Sequence, residues 1–447
     1  MFKKILIANR GEIALRVMRT CKRLGVQTVA IYSEADAEAP FVSEADEAHL
    51  VGGPRVNESY LNIEKIIEIA KQTGAEAIHP GYGLLSENAT FAKRCEEEGI
   101  TFIGPSPEVI ERMGSKIESR RAMQAANIPV IPGTDAPVEN EVEAIRKANE
   151  IGYPVMLKAS AGGGGIGMQL VRNDDALKRA FAGNQQRAKS FFGDGTMYIE
   201  KYIENPRHIE IQILADEFGN TIHLMERECS IQRRHQKVLE EAPSVFLDVE
   251  TRRKMGKDAV QAAKSIGYKN AGTIEFLVDE NKNYYFLEMN TRLQVEHPIT
   301  EEIIGLDLVE EQLKIAYGEK LSIQQGDVKH NGHAIEVRIY AEDPNTFFPS
   351  PGKITTFQVP KGDGIRHELA VAEGVTVTPF YDPMIAKLIV HAETRDKAIR
   401  KLQIALQDYV VEGIKTNILT LQKIVGHRAF EQGITTTDFI ETIMKRK

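Results

Sequence analysis

Between Tyr284 and Pro298 the chain reads Tyr-Tyr-Phe-Leu-Glu-Met-Asn-Thr-Arg-Leu-Gln-Val-Glu-His-Pro. The run opens as a strand, and Glu288 and Asn290, two residues apart, share one face of its pleat. Arg292, Gln294, Glu296 and His297 follow at once. A core strand cannot bury so many polar functions unpaired. The stretch therefore reads as the floor of an active site.

A second carboxylate belongs with it. Gly272–Val278 and the opening stretch, joined by Asp279–Asn283, read as a hairpin. Centring its turn between Asn281 and Lys282 sets Glu275 opposite Glu288, with Cβ atoms ~5 Å apart. Two such carboxylates repel unless a cation lies between them or one is protonated. With Asn290 the donors are all oxygen, which favours Mg²⁺ or Mn²⁺ over zinc. Magnesium commonly completes its shell with substrate phosphates.

The phosphate side comes from Ala161-Gly162-Gly163-Gly164-Gly165-Ile166-Gly167. It lies between the strand-like runs Tyr153–Lys158 and Met168–Val171, so it is not a Walker loop, which opens a helix. A hairpin lid whose bare amides approach phosphates suits it better than a merely flexible turn. Lys158, just before it, is either a point charge for a phosphate or a solvated lysine. The run Glu226–Lys237 is basic; charge runs are usually solvated, but Cys229, Ile231, Val238 and Leu239 point to partial burial and anion binding.

The elements that must position these groups begin with a βαβ pattern: a strand over residues 4–8, a helix over 12–24 and a strand over 27–32. A helix over 63–73 and strands at 77–79 and 101–103 continue it. The loop His79–Asn88 is a ligand loop at a strand end or a tight turn before a capped helix. Asn9-Arg10-Gly11-Glu12 lacks a dinucleotide fingerprint and reads as a structural turn. Further on, His208, Glu210 and Gln212 alternate with Ile209, Ile211 and Ile213, a polar face of the kind that lines a cleft. His333–Tyr340 is another strand, with Glu336 and Arg338 on its polar face.

Length sets the scale: 447 residues exceed one ordinary core. A net charge of -8 argues against general nucleic-acid or anionic-membrane binding. Three cysteines without paired spacing fit a reducing compartment, and no segment is long and apolar enough to span a bilayer. A cytoplasmic protein with no nucleic-acid and no membrane partner is expected. Expected boundaries are 1–113 for an amino-terminal α/β domain, 114–334 for a second domain with a lid at 132–203, and 335–447 for a carboxy-terminal domain.

The motifs Ile7–Ala14, His79–Gly83, the glycine lid, Arg233–Lys237, Glu288–Arg292 with Gln294–Pro298, and Tyr381–Met384 together resemble the biotin carboxylase component of biotin-dependent carboxylases, within the ATP-grasp superfamily. The resemblance covers nearly the whole chain. It implies a fold of mixed α/β and α+β class: a doubly wound α/β domain, an ATP-grasp fold with a mobile glycine-rich lid, and a mixed carboxy-terminal domain. It also implies a reaction in which ATP phosphorylates bicarbonate to carboxyphosphate and the carboxyl group passes to biotin on a separate protein.

By the same resemblance, Lys116, Lys158, Gly163, Gly164, Gly165, Gly167, Met168, Glu200, Lys201, Ile203, His208, Gln232, His235, Glu275, Leu277 and Glu288 bind ATP. Glu275, Glu288 and Asn290 hold a pair of Mg²⁺ or Mn²⁺ ions. Lys237, Arg292, Gln294 and Val295 bind bicarbonate, Glu296 is the base, and Arg338 with Tyr82 meets biotin. Lys237, Arg292, Glu296 and Arg338 form the catalytic set. Ile166 and Ala161 depart from the family pattern, which carries a basic residue and a glycine there.

A biotin carboxyl carrier protein and a carboxyltransferase are the implied partners, in a homodimeric enzyme of fatty acid biosynthesis. Acetyl-CoA is the default final acceptor; propionyl-CoA, pyruvate and urea systems use similar components. The alternatives are another ATP-grasp ligase and a nucleotide-binding regulatory relative without turnover.

Overall fold

The computed structural model describes residues 1–159, 168–192 and 195–445. The chain divides into two compact units: Met1–Asn127 with Arg207–Phe276 and Glu288–Lys447, and Ile128–Pro206 with Leu277–Leu287.

The first unit opens with a parallel sheet of β1 (Lys4–Ile7), β2 (Gln27–Ser33), β3 (Glu47–Gly52), β4 (Ala77–His79) and β5 (Thr101–Phe102), in the order β3-β2-β1-β4-β5. Alternation along β1 fills both faces. Ile5 and Ile7 pack on the side of the helix Gly11–Arg23, while Leu6 and Ala8 join Ile66, Ile67 and Phe91 on the other. Strand order reverses beside β1, so the loops after β1 and β4 meet at the carboxyl ends, where open α/β sheets bind ligands. The loop after β4 is held by Asn9, whose Nδ2 donates to the carbonyls of Pro80 (2.7 Å) and Tyr82 (2.8 Å). Arg10 grips Asp36 in two hydrogen bonds of 2.6 and 2.7 Å. The Asn9–Glu12 turn is thus structural. β3 escaped the sequence reading because Glu47–Gly52 is mostly half-exposed and mixes polar with apolar residues in place of a buried apolar run.

The second unit contains a three-stranded antiparallel sheet, β7-β6-β8, from β6 (Val155–Ala159), β7 (Met168–Val171) and β8 (Met197–Lys201). The helices Glu141–Ile151 and Asp174–Phe192 bury Ala144, Ala148, Leu177 and Phe181 against Val155, Leu157, Val171 and Ile199. The glycine loop falls outside the described residues.

Eight further strands form one sheet. Its order is β13 (Tyr284–Asn290), β12 (Asn270–Val278), β9 (Arg207–Ala215), β10 (Thr221–Arg233), β11 (Gln236–Ala242), β14 (His333–Tyr340), then the strands Met384–Ala392 and Ile365–Leu369. β14 occupies the residues expected from its alternation. The pairings that matter below are Arg227↔Glu210, Glu240↔Glu336 and Arg338↔Lys387. One side carries an apolar core of Val337, Ile339, Leu388, Val390 and Leu402; period-2 alternation sends Glu336 and Arg338 to the other. Among the described residues no helix is long and apolar enough to cross a membrane.

Candidate active site

Lys237 is the centre of the site. It lies at the start of β11, after a two-residue turn in which Arg234 (φ 50°) and His235 (φ 65°) both adopt left-handed backbone. That geometry matches the twist of a tight hairpin but is rarely adopted by such residues. The Lys237 ammonium donates to Glu210 (2.6 Å), Glu275 (2.8 Å) and Glu296 (2.6 Å), committing all three of its protons. Burial opposes its charge, but these carboxylates hold its pKa well above the ordinary lysine value.

Glu296 sits just before the helix His297–Ile304, which begins inside the polar motif with Pro298 in its first turn. Its Oε1 accepts from Lys237 and its Oε2 from Arg338 (3.0 Å). Burial would raise this carboxyl, but Lys237, then Arg338 and Arg227, hold it well below the usual carboxylate range. Arg338 also bonds Glu240 at 2.6 Å, so its guanidinium spans two acids. Removing one member of such a buried set strands the others' charge.

Arg292 stands at the edge of this group. Its Nε donates to Glu87 (2.8 Å), Nη1 to Gln294 Oε1 (2.9 Å) and Nη2 to Asn290 Oδ1 (2.8 Å). Gln294 and Asn290 in turn donate to Glu275 Oε1 at 3.1 and 3.0 Å. His208 Nε2 lies 2.7 Å from the other Glu275 oxygen and Gln232 reaches His208 Nδ1 at 2.7 Å. Glu275 raises the His208 pKa against the pull of burial.

Glu275, Glu288 and Asn290 supply two carboxylates and a carboxamide, an all-oxygen set suited to a hard divalent ion. Burial, then the charge of Glu275, raises the Glu288 carboxyl against the pull of His208 and Lys237. The donor set therefore fits Mg²⁺ or Mn²⁺. Asn290 would present its carbonyl oxygen toward Glu275 by an amide flip that exchanges its present bonds. The hairpin turn itself differs from the symmetric one: Asp279 N donates to Asn283 O, and Lys282 N to Asp279 O. Its centre is Asn281, half a residue earlier, so counting from the turn does not set Glu275 against Glu288, although the Glu275 charge acts on the Glu288 carboxyl.

The other expected residues are spread more widely. Lys116 opens the helix Lys116–Ala125 and is exposed; His235 is exposed at its turn. Tyr82 donates to Glu12, with the Lys387 ammonium 5.9 Å from its ring centre. Val295 offers its carbonyl to Lys387 at 2.6 Å. In the second unit, Lys158 pairs with Glu200, and Lys201 donates to the carbonyls of Gly152 (2.8 Å) and Tyr153 (2.9 Å). Ile203 and Leu277 are half-buried there and Met168 is exposed. Gly163, Gly164, Gly165, Gly167, Ala161 and Ile166 lie outside the described residues.

Comparison with known proteins gives this arrangement a family. Residues 1–110 match the family described as biotin carboxylase, N-terminal domain, and residues 336–442 the biotin carboxylase C-terminal domain. Residues 115–324 match the carbamoyl-phosphate synthase L chain, ATP binding domain. Biotin carboxylase 2 of Bacillus subtilis is 65% identical over 99% of this chain and 99% of its own. The chain belongs to the biotin carboxylase family.

A pyruvate carboxylase component from Methanothermobacter thermautotrophicus is 55% identical, over 99% of this chain and 90% of its own. The crystal structure of the biotin carboxylase domain dimer of Hydrogenobacter thermophilus 2-oxoglutarate carboxylase, in complex with MgADP, ADP and bicarbonate, superposes with a TM-score of 0.91 at 52% identity. That alignment covers 99% of this chain and 98% of the other. The protein is thus an enzyme of a family of ATP-dependent ligases that carboxylate biotin, using ATP, Mg²⁺ and biotin on a carrier.

Against this biotin carboxylase background, the sequence reading missed the acids that organise the cations. Glu210 bonds both Lys237 and the fully buried Arg227 (2.5 Å), Glu240 holds Arg338, and Glu87 holds Arg292. For Glu210 the alternating polar face of β9 was the available signal. Glu240 and Glu87 carried none, because their partners lie 98 and 205 residues away in sequence.

Proposed function

We propose that the protein carboxylates biotin on a carrier protein with ATP and bicarbonate, giving carboxybiotin, ADP and phosphate. The supporting observation is the Glu296 carboxylate, gripped by Lys237 on one oxygen and Arg338 on the other. Two cations around one ionised acid form a receptor for a small planar anion, and the acid supplies a base within it.

In this reading Lys237, Arg292, Gln294 and the Val295 backbone hold bicarbonate. Glu296 takes its proton, so that the anion attacks the terminal phosphate of ATP. Attack of one anion on another is slowed by repulsion, which is why cations crowd the site. Mg²⁺ held by Glu275, Glu288 and Asn290 would neutralise phosphate charge. Arg338 steadies the charge that develops on the biotin ureido group, beside Tyr82. The proposed nucleotide contacts are Lys116, Lys158, the lid glycines, Met168, Glu200, Lys201, Ile203, His208, Gln232, His235, Glu275, Leu277 and Glu288.

The proposed regions are 1–113, 114–334 with the lid at 132–203, and 335–447. The physiological form is a cytoplasmic homodimer working with a biotin carboxyl carrier protein and a carboxyltransferase. Acetyl-CoA is the proposed final acceptor. Relatives named for pyruvate and 2-oxoglutarate make those acids the second reading.

Purified protein given ATP, Mg²⁺, bicarbonate and free biotin tests the reaction. Phosphate release should rise on adding biotin and vanish without bicarbonate; equal release with and without biotin overturns the reading. Mass spectrometry of the biotinylated protein that copurifies, and of the transferase bound to it, tests the acceptor.

A further inference from the structure

One buried acid near the site has no role in the reaction above. Glu336 on β14 is fully buried, and neither of its carboxylate oxygens has a hydrogen-bonding partner among the described residues. Its cross-strand neighbour is another fully buried acid, Glu240 on β11. Directly opposed positions bring side chains to ~5 Å, so two carboxylates here would repel in a medium that screens poorly. Arg338 holds one oxygen of Glu240, Oε1, through Nε at 2.8 Å and Nη2 at 2.6 Å, while Glu240 Oε2 has no hydrogen-bonding partner among the described residues. Glu336 has no such donor.

An ionised carboxylate in that position would be desolvated with no hydrogen bond to offset the loss of water. The charged groups that act on Glu336 are Lys387 on the neighbouring strand, Glu240 on β11, Arg338 on its own strand and Glu296 before the helix His297–Ile304. Lys387 is not free to neutralise it: its ammonium bonds the Val295 carbonyl at 2.6 Å and lies 3.2 Å from Glu12. Burial pushes the Glu336 carboxyl well above its ordinary value, against the pull of Lys387. Glu240 is pushed up to about 7, chiefly by burial and against the pull of Arg338.

We propose that Glu336 is a positioning residue that works in its neutral, protonated form: it leaves Glu240 as the one anion of the pair, and Glu240 holds the Arg338 guanidinium against Glu296. The inference rests on the proposed function, because Arg338 is the group that meets biotin there. The arrangement makes Arg338 a shared resource. If Glu336 lost its proton to solvent, a second anion would compete for the guanidinium and draw it off Glu296. Activity should then fall on the alkaline side for a reason separate from ATP or bicarbonate binding.

The test compares Glu336→Gln with Glu336→Ala in the full-length enzyme, with biotin-stimulated phosphate release followed across pH. The alanine variant leaves a void beside Glu240 and should lower kcat about ten-fold, with KM for ATP unchanged. Glutamine reproduces the neutral acid's shape and puts an N–H donor where the acid has its O–H, so it should recover most of that loss and weaken the alkaline fall. Equal impairment of both variants would mean that the anion is needed and would overturn the proposal. So would profiles of both variants that superpose on the parent.

An infrared measurement separates this proposal from the function it rests on. The C=O stretch of a buried protonated carboxyl should be present in the parent protein and lost in Glu336→Gln, whether or not the protein turns over. Because Glu240 is also raised to about 7, the band is read at pH 8.5 as the difference between parent and variant, and its absence from that difference overturns the neutral assignment. Absence of biotin-stimulated turnover in the parent, with the band lost in the variant, overturns the function alone.

Discussion

Glu296 is ionised but a poor base as the structure holds it, because each oxygen already accepts from a cation. In the proposed reaction it gains basicity when the incoming bicarbonate draws Lys237 or Arg338 toward itself. Anion binding and base activation are therefore one event, which limits proton uptake from water in the empty site. Glu296→Gln keeps the shape and removes the base. It should cut biotin-dependent phosphate release by about 100-fold or more while the dissociation constant for ATP, measured by calorimetry, changes little. Retention of turnover would remove Glu296 from the proton step. Arg338 is held by geometry as well as charge, since it spans Glu240 and Glu296. A lysine is a single point charge and cannot fork between them. Arg338→Lys should lower kcat about ten-fold or more with KM for ATP unchanged; a loss confined to KM for ATP would place Arg338 in nucleotide binding.

At the scale of elements, the loop after β4 shows how local backbone places Tyr82, the residue proposed to meet biotin. Gly81 adopts φ 63°, and a Cβ there would meet Asn9 Nδ2 at 2.8 Å, disturbing the clamp on Pro80 and Tyr82. Gly81→Ala should cost about 1–2 kcal/mol in urea unfolding from the left-handed backbone alone. It should cost more while Asn9 is present, so Asn9→Ala combined with Gly81→Ala should be less destabilising than the sum of the two changes; strict additivity would dismiss the clash. Periodicity made several of these elements legible. The helix Ile63–Thr73 and β14 follow directly from spacing, and the buried polar face of β9 from alternation. The Glu288–Glu296 cluster was legible as chemistry because so many polar groups adjoin a strand. What stayed hidden depended on long-range pairing, as with Glu240 and Arg338, or on a half-residue offset in one turn. β3 stayed hidden because its neighbours, rather than its own hydrophobicity, recruit it to the sheet.

At the scale of the whole molecule, buried titratable groups couple the first unit's two sheets and their helices to pH with opposing signs. His79 ends β4 and is fully buried; Nδ1 accepts from Gly81 N at 3.0 Å, so the proton sits on Nε2, which faces Gln312 Oε1 at 3.2 Å. Burial lowers its pKa to about 4 from an ordinary 6.5. The unfolded chain thus binds more protons between those values. Stability from neutral His79 is complete above pH 6.5 and is lost as pH falls toward 4, by up to about 3 kcal/mol. Glu240, raised to about 7, acts the other way, favouring the folded state as pH falls from about 7 to 4.5. Glu241 and Glu368, held to about 2 against burial by His333 and Arg395 and by Arg366 and Arg19, withdraw their support only below 4.5. A melting curve of the parent protein mixes these contributions, so the informative quantity is a difference. Glu240 and the other acids cancel in the comparison of the parent with His79→Gln, whose amide can still accept from Gly81. The parent's advantage in unfolding free energy should be constant from pH 8 to about 6.5 and shrink steadily toward pH 4, because protonating Nδ1 turns the acceptor of the Gly81 N–H into a donor. A difference that stays level to pH 4 would mean that His79 titrates normally, and that the join between β4 and the helix Leu308–Ala316 opens before the imidazole is charged.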